Sequence, residues 1–178
     1  MIQWLDDVRL KAYHYYLEKK LDTASVSRKS ISFEKARNIG ILLDATNREN
    51  QVFADKYRDQ LRKMGKKVNV LAYFNDSLTH NNILFDYFNN KNLNWYYQPK
   101  SKKVEDFMNT TFDVLISLHL DESPPLEFIS AMSKAHMRVG QYREEREFCY
   151  DLMIDINDNP DLDKFVNQVD LYLKIINR

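Results

Sequence analysis

Five apolar runs of strand length, separated by stretches with helical periodicity, constrain this chain more than any other feature. They are NIGILLD (38–44), KKVNVLAYF (66–74), FDVLISL (112–118), HMRVG (136–140) and YDLMIDI (150–156). Their apolar residues are continuous rather than alternating, the pattern of strands covered on both faces. Between the first two, Phe53, Ala54, Tyr57, Leu61 and Met64 line one face of a helix over Asn47–Met64, and Gly65 is a natural stop. KKVEDFMN (102–109) reads as a short helix. In ESPPLEFISAMSKA, Ser123 can cap a helix that tolerates prolines in its first turn, and NDNPDL repeats that cap-then-proline signal before a last helix. That helix puts Leu162, Phe165, Val166, Val169, Tyr172, Leu173 and Ile176 on one face. Strands alternating with helices mean βαβ units and a parallel sheet, with right-handed crossovers placing helices on both faces. The expectation is a three-layer, Rossmann-like or flavodoxin-like α/β domain with about five mostly parallel strands. Residues 75–101 resist this reading: ILFDYF and LNWYY suit a short strand or a short helix equally.

An extra amphipathic helix precedes the sheet, over residues 2–20. At 100° per residue, Met1, Trp4, Leu5, Val8, Ala12, Tyr15 and Tyr16 share one face, and Leu10, Tyr13 and Leu17 form a second, narrower stripe. Two apolar stripes suit two surfaces, a core and a neighbouring chain, so a homodimer through this helix is expected. The polar segment DTASVSRKSISFEKAR then separates the helix from the body, which divides the chain into an N-terminal helix with its connection (1–33) and a single α/β domain (34–178).

In open parallel sheets ligands bind outside the carboxyl ends of the strands. There the sequence places Asp44, Ala45, Thr46 and Asn47 after the first strand, and Ser117, His119, Asp121 and Glu122 around the end of the third. Gln141 and Tyr142 follow the fourth, and Asn157 and Asp158 the fifth. Asp44, Thr46, Asn47, Ser117, His119 and Asp121 are the candidate ligand-binding residues. Each also has a structural reading. Thr46 and Glu49 carry the spacing of a capping box, Asp44 can simply end a strand, and Asp121 to Ser123 precede a helix start. His119 is the titratable ring with least structural explanation.

Several chemistries lack their motifs. With only three glycines (Gly40, Gly65 and Gly140), the turn after the first strand has none, so neither a dinucleotide fingerprint nor a P-loop is present. No G-x-S-x-G elbow offers a serine nucleophile. Cys149 is the single cysteine, and the acidic residues of EEREFCYD would raise its thiol pKa. The four histidines stand too far apart for metal-ligand spacing, and neither a metal nor a cofactor is expected. LNWYYQPKSKK joins three aromatics to Lys100, Lys102 and Lys103, a combination that can stack bases, but it reads better as an aromatic-anchored loop. QYREEREF reads as an exposed charged loop. With 26 basic and 26 acidic residues and no long apolar run, no nucleic-acid or membrane partner is expected. A single cysteine and a start without a signal-peptide pattern suggest a cytoplasmic protein.

FDVLISLHLDESPPLEFISAMSKAHMRVGQY, with IGILLDATN upstream and LNWYYQP between, resembles a small family of uncharacterised bacterial proteins of Bacteroidetes type, over about residues 37 to 156. That resemblance implies a cytoplasmic bacterial protein without an established activity. Over residues 112–142 the order of strand, helix and SKAHMRVGQY is similar to the first domain of heptosyltransferase-type glycosyltransferases. Their glycine-containing first loop is absent here, and the chain is too short for their second domain, so this likeness implies a fold and not an activity. The expected function is a non-catalytic α/β binding or interaction module for a small molecule or a protein. The alternative is a small enzyme or sugar-nucleotide-binding protein using the strand-end rim.

Overall fold

The structure, a computed structural model, describes residues 3–24, 26–156 and 161–176. Helix α1 spans Gln3–Leu21. Then come β1 (Asn38–Asp44), α2 (Arg48–Lys63), β2 (Lys67–Phe74), β3 (Asp86–Asn89), α3 (Lys102–Asn109) and β4 (Val114–Leu118). The chain closes with α4 (Pro124–Met132), β5 (Met137–Gln141), β6 (Leu152–Ile154) and α5 (Leu162–Ile175). The six strands form one all-parallel sheet in the order β3-β2-β1-β4-β5-β6. This is the order of a Rossmann-like fold.

The strand beyond the expected five is β3, which begins within ILFDYF and ends one residue past it. It is an edge strand of four residues, DYFN, whose burial runs from exposed Asp86 to buried Asn89, so it lacks the continuous apolar run of its neighbours. LNWYY is neither strand nor helix. Leu93 makes an isolated bridge to Pro99, and Tyr97 turns the chain with a φ of 62°.

Alternate residues of β1 point to opposite layers. Ile39, Ile41 and Leu43 pack with Tyr57 and Leu61 of α2 and Phe165 and Val169 of α5. Leu42 packs on the other side with Val104 and Phe107 of α3 and Leu126 and Ile129 of α4. Helix α2 stops at Gly65 as expected: with φ at 77°, its N–H donates to Arg62 O while that of Lys66 donates to Leu61 O, a Schellman closure that only glycine enters without strain. Asp161 is the N-cap of α5, its side chain accepting from Lys164 N. The expected signal at Asn157–Pro160, and the rim positions Asn157 and Asp158, lie outside the described residues, as does Met1 of the N-terminal helix.

Helix α4 is buried from Pro125 to Ala131, including its outer side, because α1 lies across it. Tyr13 and Leu17 of α1 pack on Phe128 and Ala131. The two stripes of α1 therefore have the reverse of the roles their widths suggest. The narrow one faces the body, and the wide one faces solvent, with Trp4 60% and Tyr15 61% exposed and Leu5, Val8 and Tyr16 also open. The reason lies in α4: its outer side offers Phe128 and Ala131 with Met132 at their flank, a strip that a narrow stripe covers. The connection after α1 is anchored as well. The Arg28 guanidinium donates to the Ser133 and Ala135 carbonyls just past the end of α4, where a cation is favoured. Phe33 is buried beneath α5 and β1.

Candidate functional site

β1 and β4 are neighbours, but β1 leads to α2 on one face and β4 leads to α4 on the other. Chains diverging from adjacent strand ends open a crevice, the usual place for a ligand in such a sheet. Asp44 and His119 both lie at this end.

On the β1 side the polar groups organise the turn. Asp44 Oδ1 accepts the Thr46 N–H at 2.9 Å. Asn47, not Thr46, is the N-cap of α2, accepting from Asn50 N at 3.0 Å. The capping box whose spacing Thr46 and Glu49 carry does not form, and the cap falls one residue later. The Asp44 turn closes on the Thr46 N–H and leaves the Thr46 hydroxyl to accept from Asn75 N at 3.1 Å. That bond ties the β1–α2 turn to the chain leaving β2.

On the β4 side the polar groups are enclosed. Ser117 is fully buried; its hydroxyl lies near that of Tyr150 without a well-aligned hydrogen bond. His119 is 5% exposed. Its Nδ1 lies 2.9 Å from the Asp121 carbonyl, which only accepts, so Nδ1 carries the proton. Nε2 is then the bare lone pair, and it accepts from the Tyr150 hydroxyl at 2.9 Å. Burial, the largest influence, holds the imidazole below its ordinary pKa. The ring is a neutral acceptor whose lone pair is taken. The Asp121 carbonyl serves His119 while the residue itself is exposed. Ser123 occupies the N-cap of α4, but its hydroxyl makes no capping bond; the Pro–Pro start removes N–H donors that a cap would serve.

Beneath α1 lies a buried ionic group that the sequence did not suggest. Glu127 on α4 is 1% exposed and sits 3.3 Å from Arg146, which also reaches Glu122 at 2.8 Å. QYREEREF is therefore not wholly an exposed loop, since the Arg146 side chain is folded inward. Burial raises the Glu127 carboxyl, and burial with Glu127 nearby raises the Cys149 thiol. Such a thiol is a poor nucleophile.

The open part of the rim lies over β2 and β3. A cavity of about 590 Å³ is walled by Tyr73, Asn75 and Asn90 at the strand ends, by Asp6 and Arg9 of α1, and by Leu93, Asn94, Trp95 and Tyr97. Neither Asp44 nor His119 is in its lining. The Tyr73 hydroxyl donates to Asn90 Oδ1 at 2.6 Å, and Asn90 Nδ2 to Asn75 Oδ1 at 3.2 Å. Tyr97 holds a left-handed backbone that costs a non-glycine residue roughly 1–2 kcal/mol. α1 holds it there: Arg9 stacks 3.9 Å over its ring and donates to Trp95 O, and Asp6 accepts from its hydroxyl at 3.2 Å. Tyr96 stacks on Tyr16 at 4.5 Å, while Lys102 and Lys103 pair with Asp106 and Asp86. The aromatic loop is thus an anchor for α1. Sequence reasoning missed this cavity; the available signal was the density of asparagine between 75 and 94, where a Rossmann-like sheet ends its second and third strands.

Family comparison covers the same unit. The family of unknown function DUF6913 matches residues 9–176, from within α1 to the end of α5. The chain belongs to this family. The DUF6913 match includes the cavity wall from Arg9 onward, the anchored connection and the whole sheet. No curated protein and no solved structure matches the chain. Among the described residues, no helix is long and apolar enough to cross a membrane, and no group of three or more His, Cys, Asp or Glu is placed to hold a metal ion.

Proposed function

We propose that this DUF6913 chain is a non-catalytic binding module whose small-molecule ligand occupies the carboxyl end of the sheet. The observation that carries this reading is the division of the rim. His119, the titratable ring at the switch point, has both nitrogens bonded and its lone pair taken, while a cavity of about 590 Å³ stands open over β2 and β3. That volume is ordinary for a small-molecule site. Asp44, Thr46 and Asn47 support the site by fixing the turn that Thr46 ties to Asn75; Ser117, His119 and Asp121 belong to its scaffold. The enzyme alternative needs His119 as a base, and a buried neutral ring without a free lone pair is a poor one.

Self-association is the second part of the proposal. The wide stripe of α1 leaves Trp4, Leu5, Val8, Tyr15 and Tyr16 open. Aromatic surface of this kind is enriched at interfaces. The acidic Asp6 and Asp7 near the start of α1 and the basic Lys19 and Lys20 near its end favour an antiparallel two-fold pairing. A cytoplasmic, bacterial setting fits the single buried cysteine and the sequence resemblance.

A thermal-shift screen of a metabolite library tests the binding reading, because a ligand that binds the native state raises the melting temperature. Hits should lose their effect in Tyr73→Phe and Asn75→Ala. Hits insensitive to both, or a hit that the protein turns over and His119→Gln does not, would overturn it.

A further inference from the structure

We propose that the cavity beneath α1 takes an uncharged, polyhydroxylated ring: a sugar, free or as the ribose of a nucleoside. The inference rests on the reading of the rim as a binding site and names what that site selects.

Charge excludes the phosphorylated forms. Arg9 is the cation in the cavity lining among the described residues, and it is already engaged. Its guanidinium lies 3.5 Å from the Asp6 carboxylate, stacks on Tyr97 and donates through Nε to Trp95 O. A phosphate entering here meets Asp6 and no free cation. The nearby start of α2 is closed by Asn47, and its turn has no glycine to bring backbone N–H groups around an anion.

Hydrogen-bonding capacity points to hydroxyls. Asn75, Asn90 and Asn94 line the cavity with amide N–H donors, and Asn90 Oδ1 keeps a second lone pair beyond its bond from Tyr73; a hydroxyl group, which both accepts and donates, matches this set. Asn94 is the decisive member. Its Oδ1 accepts from Tyr96 N at 3.1 Å and Gln98 N at 3.0 Å, which identifies that atom as oxygen and the other as NH2. The NH2 is buried without a partner. A buried, unpaired donor is costly; Asn94 lines the cavity, and a small rotation of its amide toward the opening would let a ligand oxygen satisfy it.

The remaining wall is aromatic. Trp95 is 57% exposed and stands edge-on to Tyr96, with centroids 5.3 Å apart and an interplanar angle of 87°. A ring held at its edge leaves its faces available, and the C–H face of a sugar ring is an apolar surface that packs on an indole.

The test uses the full chain with a panel of named probes: glucose, xylose, sucrose, adenosine and uridine, against glucose 6-phosphate, AMP and UMP. Melting temperature and tryptophan fluorescence are both read. Asn94→Asp keeps the oxygen that accepts from Tyr96 and Gln98 and replaces the unpartnered donor by an acceptor; Trp95→Ala removes an exposed side chain and keeps the carbonyl that serves Arg9. At least one neutral probe should bind better than its phosphorylated counterpart, and each variant should weaken it about tenfold, the worth of one well-placed contact. Tighter binding of the phosphorylated probes would overturn the neutral-sugar assignment and leave the binding site standing. So would a silent panel alongside library hits that Asn94→Asp abolishes. A silent panel and a silent library would overturn both. Binding of a sugar unchanged in both variants would remove it from this cavity.

Discussion

The Tyr150 hydroxyl donates to His119 Nε2 at 2.9 Å, and this bond fixes the imidazole as a neutral acceptor inside the sheet's carboxyl end. Protonating His119 would put a charge into a buried position and remove the lone pair that Tyr150 bonds. Burial, the largest influence, lowers the folded pKa, and the unfolded chain titrates near the ordinary value of about 6.5. Below that pH the unfolded state binds the extra proton, so the contribution of His119 is complete above about pH 6.5 and is lost as pH falls toward the depressed folded value. NMR titration should show the ring taking up its proton at a lower pH than the ordinary value of about 6.5. His119→Gln should flatten the fall of stability that sets in below about pH 6.5.

Removing the Tyr150 hydroxyl isolates a buried lone pair. Tyr150→Phe is expected to cost about 1–3 kcal/mol in denaturant unfolding, and to let the His119 pKa rise. An unchanged midpoint would mean that the two groups do not depend on each other.

Gly140 makes room for the same tyrosine. A Cβ added there would stand 2.4 Å from the Tyr150 ring, closer than any real contact. Gly140→Ala should destabilise by roughly 1–3 kcal/mol, as an overpacked core does. The double variant with Tyr150→Ala should recover part of that loss, since the clash goes with the ring.

Two adjacent side chains at the start of α2 should separate cleanly. Asn47→Ala removes the helix cap and should cost about 1 kcal/mol. Thr46→Ala leaves the cap intact and removes the bond from Asn75 N. Its signature should be faster amide exchange at Asn75 with a smaller change in the unfolding midpoint.

Sedimentation equilibrium should find a dimer at tens of micromolar. Trp4→Glu with Tyr15→Glu changes only exposed positions and should give a folded monomer whose melting temperature no longer depends on protein concentration. A wild-type monomer would count against the α1 interface.

How much of this was legible beforehand depended on whether a signal was local. NIGILLD and FDVLISL are buried on both faces, so their apolar runs announce strands without reference to anything else. β3 has no such run, because an edge strand borders one neighbour and only its last residues are covered. Gly65 was readable as a stop since the left-handed closure is a property of a few consecutive residues. The roles of the α1 stripes were not, since α4 decides which of them is covered, more than a hundred residues away. The same holds for Arg9 and Asn94, which meet at one cavity only through the tertiary fold.

The margins of the sheet differ from its interior in a way that bears on how copies of this chain meet. β1 and β2, seven and eight residues long, lie inside, whereas the bordering strands β3 and β6 have four and three. A border this short presents few unpaired backbone groups for a second chain to extend, and Asp86 places a charge on one of them. Strand-by-strand growth into a continuous ribbon, the path toward fibrillar aggregates, is thereby discouraged. The two-fold pairing proposed for α1 would instead use side-chain surfaces, which close at two copies and stop at a finite assembly.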